Sequence, residues 1–145
     1  MRTTAVTLAS MAMLALFGCA TGRSSLTSSA AGLERSADSL ARRVSDAPAS
    51  ETSSGYTRDV RALAEDAHAL RRASEERASD SDVRAAFDRV SRDYHAVRED
   101  VERSDSRVAR DDLQPVTQSY LDVERDMGRY GRPYADRAYP NRPPG

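Results

Sequence analysis

Apolar residues recur along most of the chain with alternating steps of four and three positions. The first run comprises Leu26, Ala30, Leu33, Ala37, Leu40, Val44 and Ala47. The second comprises Tyr56, Val60, Leu63, Ala67 and Leu70, and the third comprises Val83, Phe87, Val90, Tyr94, Val97 and Val101. The fourth comprises Ala109, Leu113, Val116, Tyr120, Val123, Met127 and Tyr130. A mean spacing of about 3.5 residues is typical of helices that pack along an apolar seam. The pattern therefore predicts four helices.

Turn-forming and capping residues separate the four runs. Residues 45–55, Ser79–Asp82 and Ser104–Ser106 are rich in Ser, Asp, Pro and Gly, which favour turns and helix N-caps. Pro115 falls inside the fourth run. Because proline removes a backbone donor and restricts the residue before it, the fourth helix either kinks or starts near this position. We expect an all-α, antiparallel up-down-up-down four-helix bundle with coiled-coil-like seams over residues 26–127.

The N-terminal segment has the organisation of an export signal. Arg2 gives a positive start, an apolar stretch covers Ala5–Phe17, and a small residue precedes Cys19. The apolar stretch is shorter than the roughly 20 residues that a helix needs to span a bilayer. We therefore expect residues 1–18 to be removed as a signal peptide.

The residues Leu16, Phe17, Gly18 and Cys19 resemble the lipobox of bacterial lipoproteins. The resemblance implies a diacylglycerol thioether on Cys19, cleavage after Gly18, and N-acylation of the new terminus with fatty acids such as palmitate. Phe17 departs from the Ala, Ser, Thr or Val that is usual there. Two or three acyl chains hold a protein on a membrane far more firmly than one.

By the same resemblance, Ala20 indicates the outer membrane, because retention at the inner membrane favours Asp after the lipidated cysteine. The expected location is the periplasmic face of the outer membrane. Residues 19–25 are expected to form the lipidated N-terminus and a polar tether to the bundle.

Residues 128–145 are rich in Arg, Tyr, Pro and Gly. This composition is poorly suited to building a core and predicts a disordered tail. Two interpretations remain open: a frayed end, or a segment whose Arg and Tyr side chains contact anionic lipid or glycan.

Charge and residue usage exclude several classes of function. Without residues 1–18 the chain has 21 Arg and 23 acidic residues, a net charge of −2, which argues against nucleic acid as a partner. All 22 basic residues are Arg, so lysine nucleophiles are excluded. A covalent peptidoglycan link through a C-terminal lysine, as in the murein lipoprotein of enteric bacteria, is excluded as well. A single Cys precludes an intramolecular disulfide.

His68 and His95 are the only candidate metal ligands that the pattern suggests, and they are weak ones. Both lie beside a seam on adjacent predicted helices, and Glu65 with His68 matches half of a di-iron Glu-x-x-His pair. Arg92 stands where the second glutamate would be needed. Surface histidines are the favoured interpretation, and no metal, cofactor or catalytic residue is predicted.

Together these features predict a non-enzymatic, lipid-anchored cell-envelope protein with a structural or interaction role. Its expected contacts are the membrane and either an envelope protein or a second copy of the chain. The alternative is a periplasmic, stress-related helical bundle that binds a small apolar molecule, a metal or an unfolded client.

Overall fold

The computed structural model describes residues 20–48, 53–104 and 106–130. These residues form four α-helices and no strand. The helices are α1 (Ala20–Asp46), α2 (Ser54–Glu75), α3 (Asp80–Ser104) and α4 (Arg107–Arg129). The predicted all-α fold with four helices is confirmed.

Consecutive helices run in opposite directions around a square. Thr27, near the start of α1, donates a hydrogen bond to the carbonyl of Ser74 at the end of α2 (3.4 Å). Arg43, near the end of α1, forms an ion pair with Asp112 near the start of α4 (2.7 Å). Each helix contacts its two neighbours, whereas the described parts of diagonally opposed helices have no Cα atoms within 8 Å of each other. The predicted up-down-up-down four-helix bundle is confirmed.

The predicted seams form the core, and alanine makes that core thin. In α1, Leu26, Leu33 and Leu40 are completely buried, as are the intervening Ala30 and Ala37. Full burial of a leucine side chain contributes about 1.5–3 kcal/mol, and an alanine contributes much less because it removes less apolar surface from water. The leucines of α1 and α2 and the valines of α3 and α4 therefore supply much of the apolar burial.

The α3 seam differs from the expected one at Phe87, which is only partly buried, while Ala86 takes the buried position. The reason is that Phe87 lies towards α4, where its ring stacks on Tyr120 with centroids 6.1 Å apart. Tyr94 also stacks on Tyr120, with ring centroids 4.1 Å apart. The α3 and α4 backbones approach each other at fewer points than other neighbouring helices do. Aromatic side chains fill this wider interface.

Serine side chains cap three of the four helices. The backbone N–H of Tyr56 donates to Ser53 Oγ (3.1 Å), and that of Ala109 donates to Ser106 Oγ (3.2 Å). Ser79 Oγ accepts from the third residue of α3 in the same way (3.2 Å). Each side chain satisfies an N–H that has no partner within its helix. The capping predicted for the last two breaks is confirmed.

Helix α4 continues through Pro115, so a start at that proline is excluded. Proline cannot donate to the carbonyl four residues earlier, which belongs to Asp111. Both residues are exposed, and water can therefore solvate the carbonyl. The proline is tolerated because it lies on the outer side of the helix.

Two expected boundaries were wrong. Residues 20–25, expected as a tether, belong to the first turns of α1. At the other end, α4 extends to Arg129 and Tyr130 is buried, so the ordered bundle passes the expected limit at Met127. The bundle extends beyond Met127 because Tyr130 continues the fourth apolar seam and is buried in the core. Residues 131–145 of the expected tail lie outside the described residues, as do Leu16, Phe17, Gly18 and Cys19.

Candidate functional site

The antiparallel arrangement gives the bundle two distinct ends. The proximal end is formed by Ala20, Glu75, Asp80 and Arg129, where α1 and α3 begin and α2 and α4 end. The distal end is formed by Asp46, Ser54, Ser104 and Arg107. Cys19 directly precedes Ala20 in the sequence, and so it is attached to the proximal end.

Two adjoining clefts lie at the distal end and share Tyr56, Ser106 and Ala109 in their walls. The first has a volume of about 280 Å³ and is also lined by Ser53, Asp100, Val101, Arg103 and Ser104. The second has a volume of about 340 Å³ and is also lined by Arg43, Val44, Ala47, Val108 and Asp112. Four helix ends meet here, and small side chains surround Tyr56. Their small size leaves the space that forms the two clefts.

Tyr56 is the half-buried side chain between the two clefts. Burial raises the pKa of its hydroxyl, and the negative charges of Asp112 and Asp100 raise it further, while Arg43 lowers it. The hydroxyl therefore stays protonated at neutral pH, where it is able to donate and accept hydrogen bonds.

Asp100 contributes the least satisfied acceptor at the distal end. Its Oδ1 atom forms an ion pair with Arg103 Nη2 (3.0 Å), whereas Oδ2 is buried and has no hydrogen-bond partner among the described residues. A buried acceptor without a donor is costly. This oxygen is the group at the distal end that would gain most from a new donor.

Charges at the distal clefts are nearly balanced, and an apolar side chain stands beside them. The Arg43–Asp112 ion pair joins α1 to α4, and the pairing of Arg103 with Asp100 neutralises a second carboxylate. Val108 is 71% exposed, the more exposed of the two large hydrophobic residues on the described surface. Balanced charge around exposed apolar surface suits contact with a protein or a small polar molecule better than contact with a polyanion.

The two histidines face different helices. His68 Nδ1 lies 2.5 Å from Glu34 Oε1 on α1, whereas the His95 ring lies at the edge of Tyr120 on α4, with centroids 6.1 Å apart. Among the described residues, no three His, Cys, Asp or Glu side chains are grouped so as to hold a metal ion. The two weak candidate ligands therefore lie against different helices, His68 against α1 and His95 against α4.

Glu34 organises an ion-pair cluster between α1 and α2. It accepts from His68 and forms an ion pair with Arg71 (Nε to Oε2, 2.5 Å), and Arg71 Nη1 donates to Glu75 (2.5 Å). The hydrogen bond with Glu75 is the first cause of the raised pKa of Arg71. The sequence pattern did not reveal this cluster, because Glu34 is far from its partners in the chain.

A second group that sequence reasoning missed lies between α2 and α3. Burial raises the pKa of Asp93 to about 6, and a hydrogen bond and the charge of Asp66 add to the effect. Asp66 also accepts the Nε of Arg89 across the same interface (3.3 Å). Asp66 directly precedes the seam residue Ala67, and Asp93 directly precedes Tyr94. These positions beside the seam are the feature of the sequence from which their place at the edge of the helix contact could have been predicted.

Comparison with protein-family models, curated proteins and solved structures finds no match to this chain. Within the described residues, no helix is both long and apolar enough to span a bilayer.

Proposed function

We propose that this protein is a non-enzymatic lipoprotein, anchored through Cys19 on the periplasmic face of the outer membrane. We propose further that its bundle contacts another envelope component. The observation that carries the anchor is the lipobox-like sequence Leu16–Cys19, which ends directly before the first residue of α1.

An anchor at Cys19 would hold the proximal end close to the membrane. Helix α1 has 27 residues, and at 1.5 Å per residue it is about 40 Å long. The distal clefts around Tyr56 would then be the part of the bundle that is free to project away from the lipid. This geometry supports an interaction role for the distal end.

Residue usage supports a role without catalysis. The chain lacks lysine, and lipidation would consume its one cysteine thiol. The histidines lie at different helix contacts, one against Glu34 and one against Tyr120. Both histidines of the described region thus lie against neighbouring side chains of other helices.

The anchor is tested by Cys19→Ser, with Thr21→Ser as the matched control just beyond the motif. In cells that express each form, we expect the control to sediment with membranes and to incorporate a labelled fatty acid. The Cys19→Ser protein should lose the label and leave the membrane fraction. Equal membrane association of both forms, or an unmodified thiol in the mass spectrum of the mature protein, would contradict the anchor.

The interaction role is tested by a photocrosslinking residue at Val108, with the same residue at Arg61 on the exposed side of α2 as control. We expect a discrete adduct from the distal position in intact cells, and its loss when Cys19→Ser is combined with it. Equal adducts from both positions would argue against a distal contact surface.

The distal clefts also support a variant of the alternative function, in which the bundle binds a small polar molecule in place of the expected apolar one. Calorimetric titration with zinc, copper and nickel tests the metal version, and suppression of client aggregation tests the chaperone version. If one of these metals binds with measurable heat, and Tyr56→Phe or Asp100→Asn abolishes that heat, the result would favour this alternative over a protein contact.

A further inference from the structure

The first distal cleft is lined by several groups that are able to accept hydrogen bonds. The side-chain oxygens of Ser53 and Ser106 each accept one backbone N–H (3.1 and 3.2 Å), and a hydroxyl oxygen has a second lone pair. Tyr56 adds a phenol oxygen, which also accepts. Asp100 adds a carboxylate whose Oδ2 atom is buried and has no hydrogen-bond partner among the described residues. The ligand that suits this wall is one that brings hydrogen-bond donors.

The charges around the cleft favour a donor that is positively charged. At the Tyr56 hydroxyl, the combined negative charges of Asp112 and Asp100 outweigh the positive charge of Arg43. A hydrogen bond from a cationic donor to a carboxylate is about twice as strong as one between neutral groups. A cation therefore gains more than a neutral donor does from the unpartnered Asp100 oxygen.

Arg103 controls access to the Asp100 carboxylate. Its Nη2 atom lies 3.0 Å from Asp100 Oδ1 and 3.8 Å from Glu99 Oε2. The Arg103 side chain is 70% exposed, whereas that of Asp100 is only 15% exposed. Because an exposed ion pair contributes little to stability, Arg103 is able to move onto Glu99 and leave Asp100 to another cation. Asp100 is thus a largely buried anion with a replaceable partner.

The arrangement of acceptors favours an ammonium over a guanidinium. An ammonium is a compact charge with three donors on a flexible stem, whereas a guanidinium is a planar fork that matches both oxygens of one carboxylate. Here a single carboxylate oxygen is unpartnered, and the other acceptors are hydroxyls of separate residues. The cleft has a volume of about 280 Å³, and Val101 and Ala109 give it apolar wall beside which methylene groups are able to pack.

We infer that this cleft binds the ammonium group of a lysine side chain from an envelope partner, an inference that rests on the proposed contact role of the distal end. The ammonium donates to Asp100 Oδ2 and to the Tyr56 hydroxyl, and its methylene stem lies against Val101 and Ala109. This chain contains no lysine, so a second copy has no such side chain to offer. The partner is therefore a different protein.

The test measures binding of lysine blocked at both backbone ends to the chain with Cys19→Ser, so that no lipid contributes. Amide chemical shifts of the bundle are followed by NMR during the titration. Blocked arginine tests the choice of cation, blocked norleucine tests the stem without charge, and butylamine tests a free amine. The variants are Asp100→Asn, Tyr56→Phe and Arg103→Gln. The matched control is Asp88→Asn, an exposed aspartate on the same helix that lines neither cleft.

We expect blocked lysine to cause saturable shifts at Tyr56 and Ser106. Asp100→Asn should weaken binding by about tenfold or more, because the charge-assisted hydrogen bond is lost. Tyr56→Phe should weaken it less, because it removes a neutral acceptor. Arg103→Gln should strengthen binding by up to about fivefold, because an exposed ion pair no longer competes for Asp100. A purely structural role of Asp100 would not produce this gain, and Asp88→Asn should bind like the unsubstituted chain.

Several results would overturn the inference. One is the absence of saturable shifts with blocked lysine, and another is equal affinity for blocked arginine or blocked norleucine. Equal weakening by Asp88→Asn and Asp100→Asn would show attraction to the acidic surface in general. Tighter binding of butylamine than of blocked lysine would replace the partner's side chain with a small free amine.

Failure of this inference is separate from failure of the contact role. Crosslinking from Val108 in cells reports a distal contact whatever group the partner presents, so a negative titration leaves that result unaffected. Saturable binding of blocked lysine without any adduct from Val108 would overturn the partner and keep the ammonium site.

Discussion

Arg77 has a backbone φ of 57° and is the single non-glycine residue with positive φ in the part of the chain that the structure describes. It lies in the turn between α2 and α3. The left-handed conformation costs an L-residue about 1–2 kcal/mol, because its Cβ crowds the following carbonyl. We predict that Arg77→Gly raises the free energy of unfolding by about 1 kcal/mol in urea titrations. The gain is smaller than the strain that is relieved, because glycine also increases the conformational entropy of the unfolded chain.

Arg77→Ala is the matched control for this prediction. Alanine removes the guanidinium but keeps the Cβ, so its backbone strain is unchanged and no gain is expected. A gain as large in alanine as in glycine would mean that loss of the charge, and not relief of the backbone, stabilises the turn.

The carboxyl pair between α2 and α3 predicts a dependence of stability on pH. Asp93 has a pKa of about 6 in the folded protein, against an ordinary value of 3.8. The folded state holds the proton more tightly than the unfolded chain does. The contribution of this group to the free energy of unfolding is therefore complete below about pH 4. That contribution is lost as the pH rises through 6. Asp93→Asn should therefore be more stable than the unsubstituted protein at pH 7, and the difference should vanish near pH 4.

The measurement is chemical unfolding at several pH values between 4 and 8, with Asp88→Asn as control. Asp88 is an exposed aspartate on the same helix. A parallel pH dependence in the Asp93→Asn and unsubstituted proteins would contradict the assignment to Asp93. An equal gain of stability at pH 7 in Asp88→Asn would point to general charge repulsion along α3.

At the scale of the helix, spacing in the sequence was enough to predict the core, because a helix with a 3.5-residue apolar period is able to bury only one face. Leu33, Leu63 and Val90 are fully buried for this reason. Phe87 was assigned to the seam by spacing alone. A large ring at the edge of a seam is able to turn towards one neighbouring helix, and that choice depends on the distance between helices, which the sequence pattern does not contain.

Pro115 gives a prediction at the same scale. Alanine at this exposed position of α4 restores an amide donor for the carbonyl of Asp111 and removes the steric conflict with it. We predict that Pro115→Ala raises the free energy of unfolding by about 1–3 kcal/mol in urea titrations, with Gln114→Ala close to neutral as the exposed neighbour. A loss of stability would show that the proline bends α4 into a shape that its packing on α1 requires.

At the scale of the whole molecule, contacts between helices were the least predictable feature. Glu34 pairs with Arg71, and Asp66 lies beside Asp93, because of how two helices are rotated and staggered against each other. Neither quantity is encoded in local spacing. The distal clefts around Tyr56 have the same origin, since they depend on where four helix ends meet. The proposed Cys19 anchor is the opposite case, because its motif is local and the fold adds only which end of the bundle follows it in the chain.

Closure of the bundle at the proximal end depends on Tyr130, which continues the α4 seam past the expected boundary. Burial of the ring and the hydrogen bond to Asp80 (2.8 Å) tie the end of α4 to the start of α3. We predict that Tyr130→Ala lowers the free energy of unfolding by about 3 kcal/mol through loss of the buried ring. Tyr130→Phe, which keeps the ring and loses the hydrogen bond, should cost about 1 kcal/mol.

Tyr134→Ala is the control that separates the bundle from the segment after it. If the packed unit ends at Tyr130, this substitution should change thermal and urea unfolding by less than about 0.5 kcal/mol. A cost equal to that of Tyr130→Ala would mean that the fourth seam continues beyond Tyr130.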